Sequence, residues 1–142
     1  ADPGGSAEHL EVRVAIVHAR EFHSWPDEPV VPPELRGLNP IATSIRVASA
    51  PAGVEVEEIE WPEPVTVTVR YTSEPLELLS FVDTTVARLR VRLPEHLVDA
   101  PGGAGPVDVV PLELQVQFQS CDEEYCYPPR RETLSVPLAL DP

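Results

Sequence analysis

The chain contains two cysteines, Cys121 and Cys126, with four residues between them. They sit in the run Phe118-Gln119-Ser120-Cys121-Asp122-Glu123-Glu124-Tyr125-Cys126-Tyr127-Pro128-Pro129. Two thiols this close can pair if a tight hairpin brings their Cα atoms within about 4.4–6.8 Å. The spacing also bears on what such a bond would be for. Closing a ring of six residues removes only about 2 kcal/mol of unfolded-chain entropy, whereas a loop of about 100 residues gives about 4.7 kcal/mol. A β-domain that uses one bond as a staple gains more by joining distant strands. The short ring favours an accessible, exchangeable bond, but composition alone leaves the structural and redox readings level.

The neighbouring charges shape the chemistry further. Asp122, Glu123 and Glu124 disfavour a thiolate beside them, and Arg130 and Arg131 are placed to offset part of that field. A thiol kept in its protonated form attacks slowly by itself. It exchanges chiefly when a partner docks and aligns the sulfurs. Cys121 and Cys126 with His18 and His23 formally make a four-ligand zinc set, but the spacing matches zinc sites only loosely, so no metal is expected. His9 and His96 read as surface residues. The acidic run Glu55 to Glu60 lacks the Asp and Gly pattern of a calcium loop. No Gly-x-Ser-x-Gly elbow is present, so hydrolase chemistry has no support.

The elements that must position the cysteines read as strands. Leu10 to Ala19 alternates, with Leu10, Val12, Val14 and Ile16 on one face. Pro26 to Pro33 reads as an irregular loop, and Ile45 to Ala48 and Val54 to Ile59 as short strands. Trp61-Pro62-Glu63-Pro64 marks a turn before Val65 to Tyr71. Val86 to Leu93 alternates Leu89, Val91 and Leu93 with Arg88, Arg90 and Arg92. That arginine row suits a solvated sheet face paired with Glu55, Glu57, Glu58 and Glu60. Ala100 to Pro106 is a Gly/Pro loop. Pro111 to Gln119 carries Leu112, Leu114, Val116 and Phe118 on one side, and Thr133 to Leu140 carries Leu134, Val136, Leu138 and Leu140. The cysteines lie between these last two strands. Trp25 and Trp61, each beside a proline, read as loop anchors or core edges. About eight short strands with turns between them predict an all-β chain, an immunoglobulin-like β-sandwich with the cysteine pair on a hairpin.

Composition sets the outer bounds. The 142 residues, 42% of them hydrophobic, suit one globular domain spanning 1–142, with 1–8 a flexible tail. Ala1 to Ser6 reads as a processed or added end. The net charge of -14 disfavours nucleic acid and anionic lipid as partners. All ten basic residues are Arg, so a lysine Schiff base or P-loop lysine is excluded. No run approaches the roughly 18 apolar residues that span a bilayer.

The cysteine segment also carries a resemblance. Gln119-Ser120-Cys121, four residues, then Cys126-Tyr127-Pro128-Pro129, leading into a strand with Val136-Pro137-Leu138, resembles the N-terminal domain of the thiol-disulfide interchange protein DsbD. Arg92 to Pro94 and Gly53 to Pro64, with its Glu-Trp-Pro, are also similar to that family. The resemblance implies redox cysteines on an inserted hairpin of an immunoglobulin-like fold, in an extracytoplasmic setting. It implies a protein-disulfide reductase component with no cofactor other than a redox-active disulfide between Cys121 and Cys126. Electrons would pass between thioredoxin-fold proteins, with clients that include disulfide isomerases and cytochrome c biogenesis factors. A transmembrane electron-conducting domain of the same parent would be a further partner. By position, Cys126 would form the mixed disulfide and Cys121 would resolve it, with Tyr125, Tyr127 and Pro128 as the partner-contacting surface. Two departures stand out. The best-known members have five residues between their cysteines, and they carry an aromatic, Gly-containing loop that caps the disulfide. The nearest segment here is Leu76 to Asp83, with Phe81. The alternative function is a non-catalytic immunoglobulin-like binding module with a structural hairpin disulfide.

Overall fold

The computed structural model describes residues 8–94 and 109–139. Most of the expected tail, the Gly/Pro loop Ala100 to Pro106 and Leu140 lie outside them. The described residues form an immunoglobulin-like β-sandwich. Strands β1 (Glu8–Val17) and β7 (Thr84–Leu93) pair antiparallel over ten positions, and β4 (Glu55–Glu60) pairs with the other edge of β7. The second sheet has the order β10-β8-β3, with β3 at Ser44–Ser49, β8 at Val109–Phe118 and β10 at Arg130–Ala139.

Period-two alternation drives this pairing, because successive side chains point to opposite faces. Val12, Val14 and Ile16 of β1, Ala87, Leu89, Val91 and Leu93 of β7, and Leu112, Leu114 and Val116 of β8 fill the space between the sheets. Each fully buried aliphatic side chain contributes about 1.5–3 kcal/mol of transfer free energy. The sandwich therefore needs no covalent staple.

In β4 the alternation slips: Val54 and Val56 are two apart, but the next apolar residue, Ile59, is three further on. A bulge between Val56 and Glu58 absorbs the extra residue, so Val56 and Ile59 both pack on the core. The same register sets Glu60 opposite Arg88 and Glu58 opposite Arg90, with ion pairs Arg88–Glu60 at 3.6 Å and Arg90–Glu57 at 3.7 Å. The arginine row is thus a charged sheet face, as the sequence pattern anticipates. The chain enters β4 through a turn in which the Val54 N–H bonds the Pro51 carbonyl at 3.1 Å. Gly53, at φ 85°, takes the left-handed place that such a turn reserves for glycine.

Four further short strands build a platform at one end. β5 (Val65–Val69) and β6 (Leu76–Ser80) form a hairpin, and β2 (His23–Ser24) pairs with β9 (Ser120–Cys121). Ser24 and Phe81 exchange backbone hydrogen bonds at 3.0 and 2.9 Å, which ties β2 to the end of β6. The proline loop expected over Pro26 to Pro33 is irregular, and a 3-10 turn, Pro33–Leu35, begins at its last residue. The platform has its own small core of Trp25, Leu35, Val69, Leu78 and Cys121. None of its buried side chains belongs to the sandwich core.

Candidate redox site

The β8–β10 hairpin pairs Phe118 with Arg130, and residues 119–129 form its tip. Gln119 leaves the ladder and clamps the tip. Its side-chain amide donates to the Tyr127 carbonyl at 3.2 Å, and its oxygen accepts the Ile41 N–H at 3.2 Å. Ser120 and Cys121 then pair with Ser24 and His23. The Tyr127 N–H bonds the Ser120 carbonyl at 2.9 Å and the Asp122 N–H bonds the Tyr125 carbonyl at 2.8 Å. These two bonds flank Cys121 and Cys126 and set them directly opposite as a non-hydrogen-bonded pair, the closer-spaced kind in an antiparallel ladder. Their Cα atoms are 3.9 Å apart, tighter than the sequence expectation, and the sulfurs are joined as a disulfide.

Asp122 holds the turn that closes this ring. One carboxylate oxygen accepts the N–H groups of Glu124 at 2.8 Å and Tyr125 at 2.7 Å, an Asx-type turn; the other accepts the Tyr127 hydroxyl at 2.6 Å. The Tyr127 hydroxyl above all, then the two N–H groups, hold the Asp122 carboxyl below the ordinary carboxylate range. The same bond pushes the Tyr127 phenol up. Arg70 fixes the turn from the side: its N–H donates to the Glu123 carbonyl at 2.6 Å, and its Nε to the Glu123 carboxylate at 2.7 Å.

The two sulfurs differ in setting. Cys121 is fully buried among Trp25, Leu35, Val69 and Leu78, and Cys126 is half-buried at the edge of the same cluster. The hydroxyl oxygen of Tyr71 lies 3.5 Å from the Cys126 sulfur. That hydroxyl donates to the Asp122 carbonyl at 3.1 Å. Burial, with Asp122 adding, pushes the Tyr71 phenol well above its usual value, so it stays a donor. The buried His23 places Nε2 3.3 Å from the same carbonyl and 3.5 Å from the Tyr71 hydroxyl. Burial lowers its pKa against the opposing pull of the Asp122 carbonyl, which keeps the ring neutral near pH 7. The Trp25 indole N–H, also buried, has no hydrogen-bond partner among the described residues.

Solvent-facing aromatics border the half-buried sulfur. Tyr125 is 65% and Tyr127 41% exposed, and Pro128 is exposed beside them. Tyr127 leans on Phe22, ring centroids 6.0 Å apart. A groove of about 580 Å³ runs along this side, lined by Val17, Phe22, Phe118, Tyr127 and Pro128 among others.

The family described as thiol:disulfide interchange protein DsbD, N-terminal, matches residues 7–138. The chain belongs to this family. No individual curated protein matches it. The DsbD N-terminal assignment fits a hairpin-borne disulfide, and among the described residues no helix is long and apolar enough to cross a membrane.

The structure brings Cys121, Cys126, Tyr125, Tyr127 and Pro128 together as one tip. It does not gather the formal zinc set: the sulfurs are bonded to each other, while His18 bonds the Asp83 carbonyl at 2.9 Å and the Ser24 hydroxyl at 2.8 Å. The arginines expected to offset the acidic turn are engaged elsewhere, Arg130 with Glu132 and Arg131 with Gln117, and Arg70 takes that role. Phe81 is no cap; it is buried and stacked on Trp61 at 5.6 Å. The residue beside the disulfide is Tyr71, from the turn between β5 and β6. Sequence reasoning missed Tyr71 and Arg70, and took His23 only as a member of the formal zinc set. All three lie 50 to 103 positions from the cysteines, on strands and turns with no local chemical signature.

Proposed function

We propose that this DsbD N-terminal domain performs thiol-disulfide exchange, relaying reducing equivalents between thioredoxin-fold proteins outside the cytoplasm as a protein-disulfide reductase component. The observation that carries the reading is the asymmetry of the bond: Cys121 is fully buried, and Cys126 is only half-buried at an aromatic-rimmed hairpin tip. A partner thiolate attacks the Cys126 sulfur, forming a mixed disulfide and expelling Cys121 as a thiolate. The partner's second thiolate then attacks the partner's own sulfur in that bond. The partner disulfide forms, Cys126 leaves with the electron pair, and the domain has gained the two electrons the partner dithiol lost. Tyr125, Tyr127, Pro128 and the groove beside them form the docking surface. The disulfide is the only redox group this scheme uses. Disulfide isomerases and cytochrome c biogenesis factors are the client class, a thioredoxin-like domain of the same system is the electron donor, and a transmembrane electron-conducting domain of the same parent is a further partner.

The test is trapping. Cys121→Ser, mixed with a thioredoxin-fold dithiol partner bearing one activated cysteine, should accumulate a mixed disulfide through Cys126, and Cys126→Ser should not. The reverse pattern would exchange the two roles. Capture by neither variant, with a native reduction potential well below about -300 mV, would favour a binding module with a structural bond.

A further inference from the structure

One polar cluster beside the disulfide takes no part in the sulfur-to-sulfur exchange steps. It consists of the Asp122 carbonyl, the Tyr71 hydroxyl and the His23 imidazole, gathered from three separate segments, with the Tyr71 hydroxyl 3.5 Å from the Cys126 sulfur. We infer that the Tyr71 hydroxyl is a two-position donor that swings from the Asp122 carbonyl to the Cys126 sulfur when that sulfur becomes a thiolate, and that His23 is the positioning residue that frees it to do so. The inference rests on the reading of Cys126 as the sulfur that meets the partner.

Hydrogen-bond satisfaction decides where the Tyr71 hydroxyl points. The hydroxyl has one hydrogen and two acceptors in reach, the carbonyl at 3.1 Å and the sulfur at 3.5 Å. A disulfide sulfur is a weak acceptor, so in the oxidised form the hydrogen belongs to the carbonyl. A thiolate is a full anion, and a hydrogen bond to a charged group outweighs one to a neutral carbonyl. Leaving a buried carbonyl bare would ordinarily oppose the swing. Here His23 Nε2–H, 3.3 Å away, remains on the Asp122 carbonyl throughout. The carbonyl has two lone pairs, and losing one of two donors leaves it satisfied.

The step balances without any added reagent. When the mixed disulfide resolves, the sulfur–sulfur bond to Cys126 breaks and its electron pair stays on Cys126. No proton is transferred: the Tyr71 O–H bond stays intact and only its direction changes. The charges facing the site set the background against which this acts. Asp122, Glu123 and Glu124 in the turn oppose a thiolate, Arg70 is bound to Glu123, the Tyr127 hydroxyl is bound to Asp122, and His18 faces His23 from the end of β1. Without a dedicated donor the acidic turn would make Cys126 a poor leaving group; Tyr71 counters that field at the sulfur itself.

The test uses the whole 142-residue chain with Cys121→Ala, so that Cys126 is the one thiol, and follows its alkylation by iodoacetamide across pH. Tyr71→Phe should move the midpoint of that profile up by about one pH unit or more, the size expected for losing a hydrogen bond to an anion. His23→Leu should move it the same way by less, and His23→Gln, which keeps an N–H near the Nε2 position, should restore it. In the Tyr71→Phe background His23→Leu should add nothing, because His23 acts through Tyr71. If Tyr71→Phe disturbs the near-ultraviolet circular dichroism, 3-fluorotyrosine at position 71 replaces it. As a stronger donor of nearly the same shape, it should move the midpoint down. A midpoint unmoved by either change at position 71 overturns the inference, and a full His23→Leu shift in the Tyr71→Phe background overturns the positioning role. Alkylation needs no partner protein. A profile that responds as expected while trapping fails would therefore sink the exchange function alone, and an unresponsive profile with normal trapping would sink this inference alone.

Discussion

Reducing Cys121–Cys126 should leave the chain folded and lower its stability by about 2 kcal/mol, the chain-entropy value for so short a ring. The bond closes six residues, its cysteines being five apart. Contacts that shape the tip outlast it: the Asp122 turn, the Gln119 clamp and the two-point hold of Arg70 on Glu123 are all non-covalent. The sandwich core lies in a separate cluster and loses nothing. For a domain of this size the expected fall in Tm is about 6 °C. The same free energy must appear on the sulfur side of the thermodynamic cycle, since folding stabilises the disulfide by as much as the disulfide stabilises folding. About 2 kcal/mol corresponds to about 45 mV for a two-electron couple. The reduction potential of the native chain should therefore lie about 45 mV below that of the chain unfolded in urea. Glutathione titrations with and without denaturant give one side of the cycle, and thermal melts of the oxidised and reduced chain give the other. Unfolding on reduction, or a gap beyond about 90 mV, would show the bond to be a staple and the short-ring reasoning to be wrong.

Three other outcomes follow from the geometry. Asp122 holds its charge below the ordinary carboxylate pKa, so its contribution to stability is present above that range and fades as pH falls through the depressed value. Asp122→Asn should cost about 1 kcal/mol or less at pH 7, given its exposed partners, and its Tm should converge with the parent's in acid; a gap independent of pH would refute the carboxylate's role. Trp25→Ala, in the small core behind Cys121, should cost about 3–5 kcal/mol in urea denaturation, and a loss under about 1 kcal/mol would mean the cluster is not cohesive. Replacing both Arg88 and Arg90 by Gln should change stability by less than about 1 kcal/mol per ion pair and leave exchange rates untouched, which stopped-flow fluorescence would check.

Much of this fold is legible in the sequence, because long strands with one buried face announce themselves by alternation. β1, β7 and β8 do so through Val12 to Ile16, Leu89 to Leu93 and Leu112 to Val116. The start of β10 does not: Arg130, Arg131 and Glu132 are all exposed and earn their place only by pairing with β8. β2 and β9 are two residues each, too short to carry any period. The cysteines stood out by type and spacing. Their surroundings did not, because Tyr71 reaches the Cys126 sulfur, and His23 the Asp122 carbonyl beside it, only after a hairpin and a two-residue strand have been folded against the tip. His23 drew notice only by residue type, beside His18 in a formal zinc set, and its place opposite Cys121 has no local signature.

The partition of the interior into two clusters with no shared side chain has an evolutionary corollary. Substitutions in one should combine additively with those in the other, since residues without common neighbours rarely show epistasis. Selection on how readily the sulfurs trade electrons can act on Trp25, Leu35, Val69 and Leu78 while drift in the packing between the two main sheets proceeds under its own constraint. A lineage could retune its redox poise by altering the residues behind one cysteine and keep the rest of the molecule as an unchanged chassis.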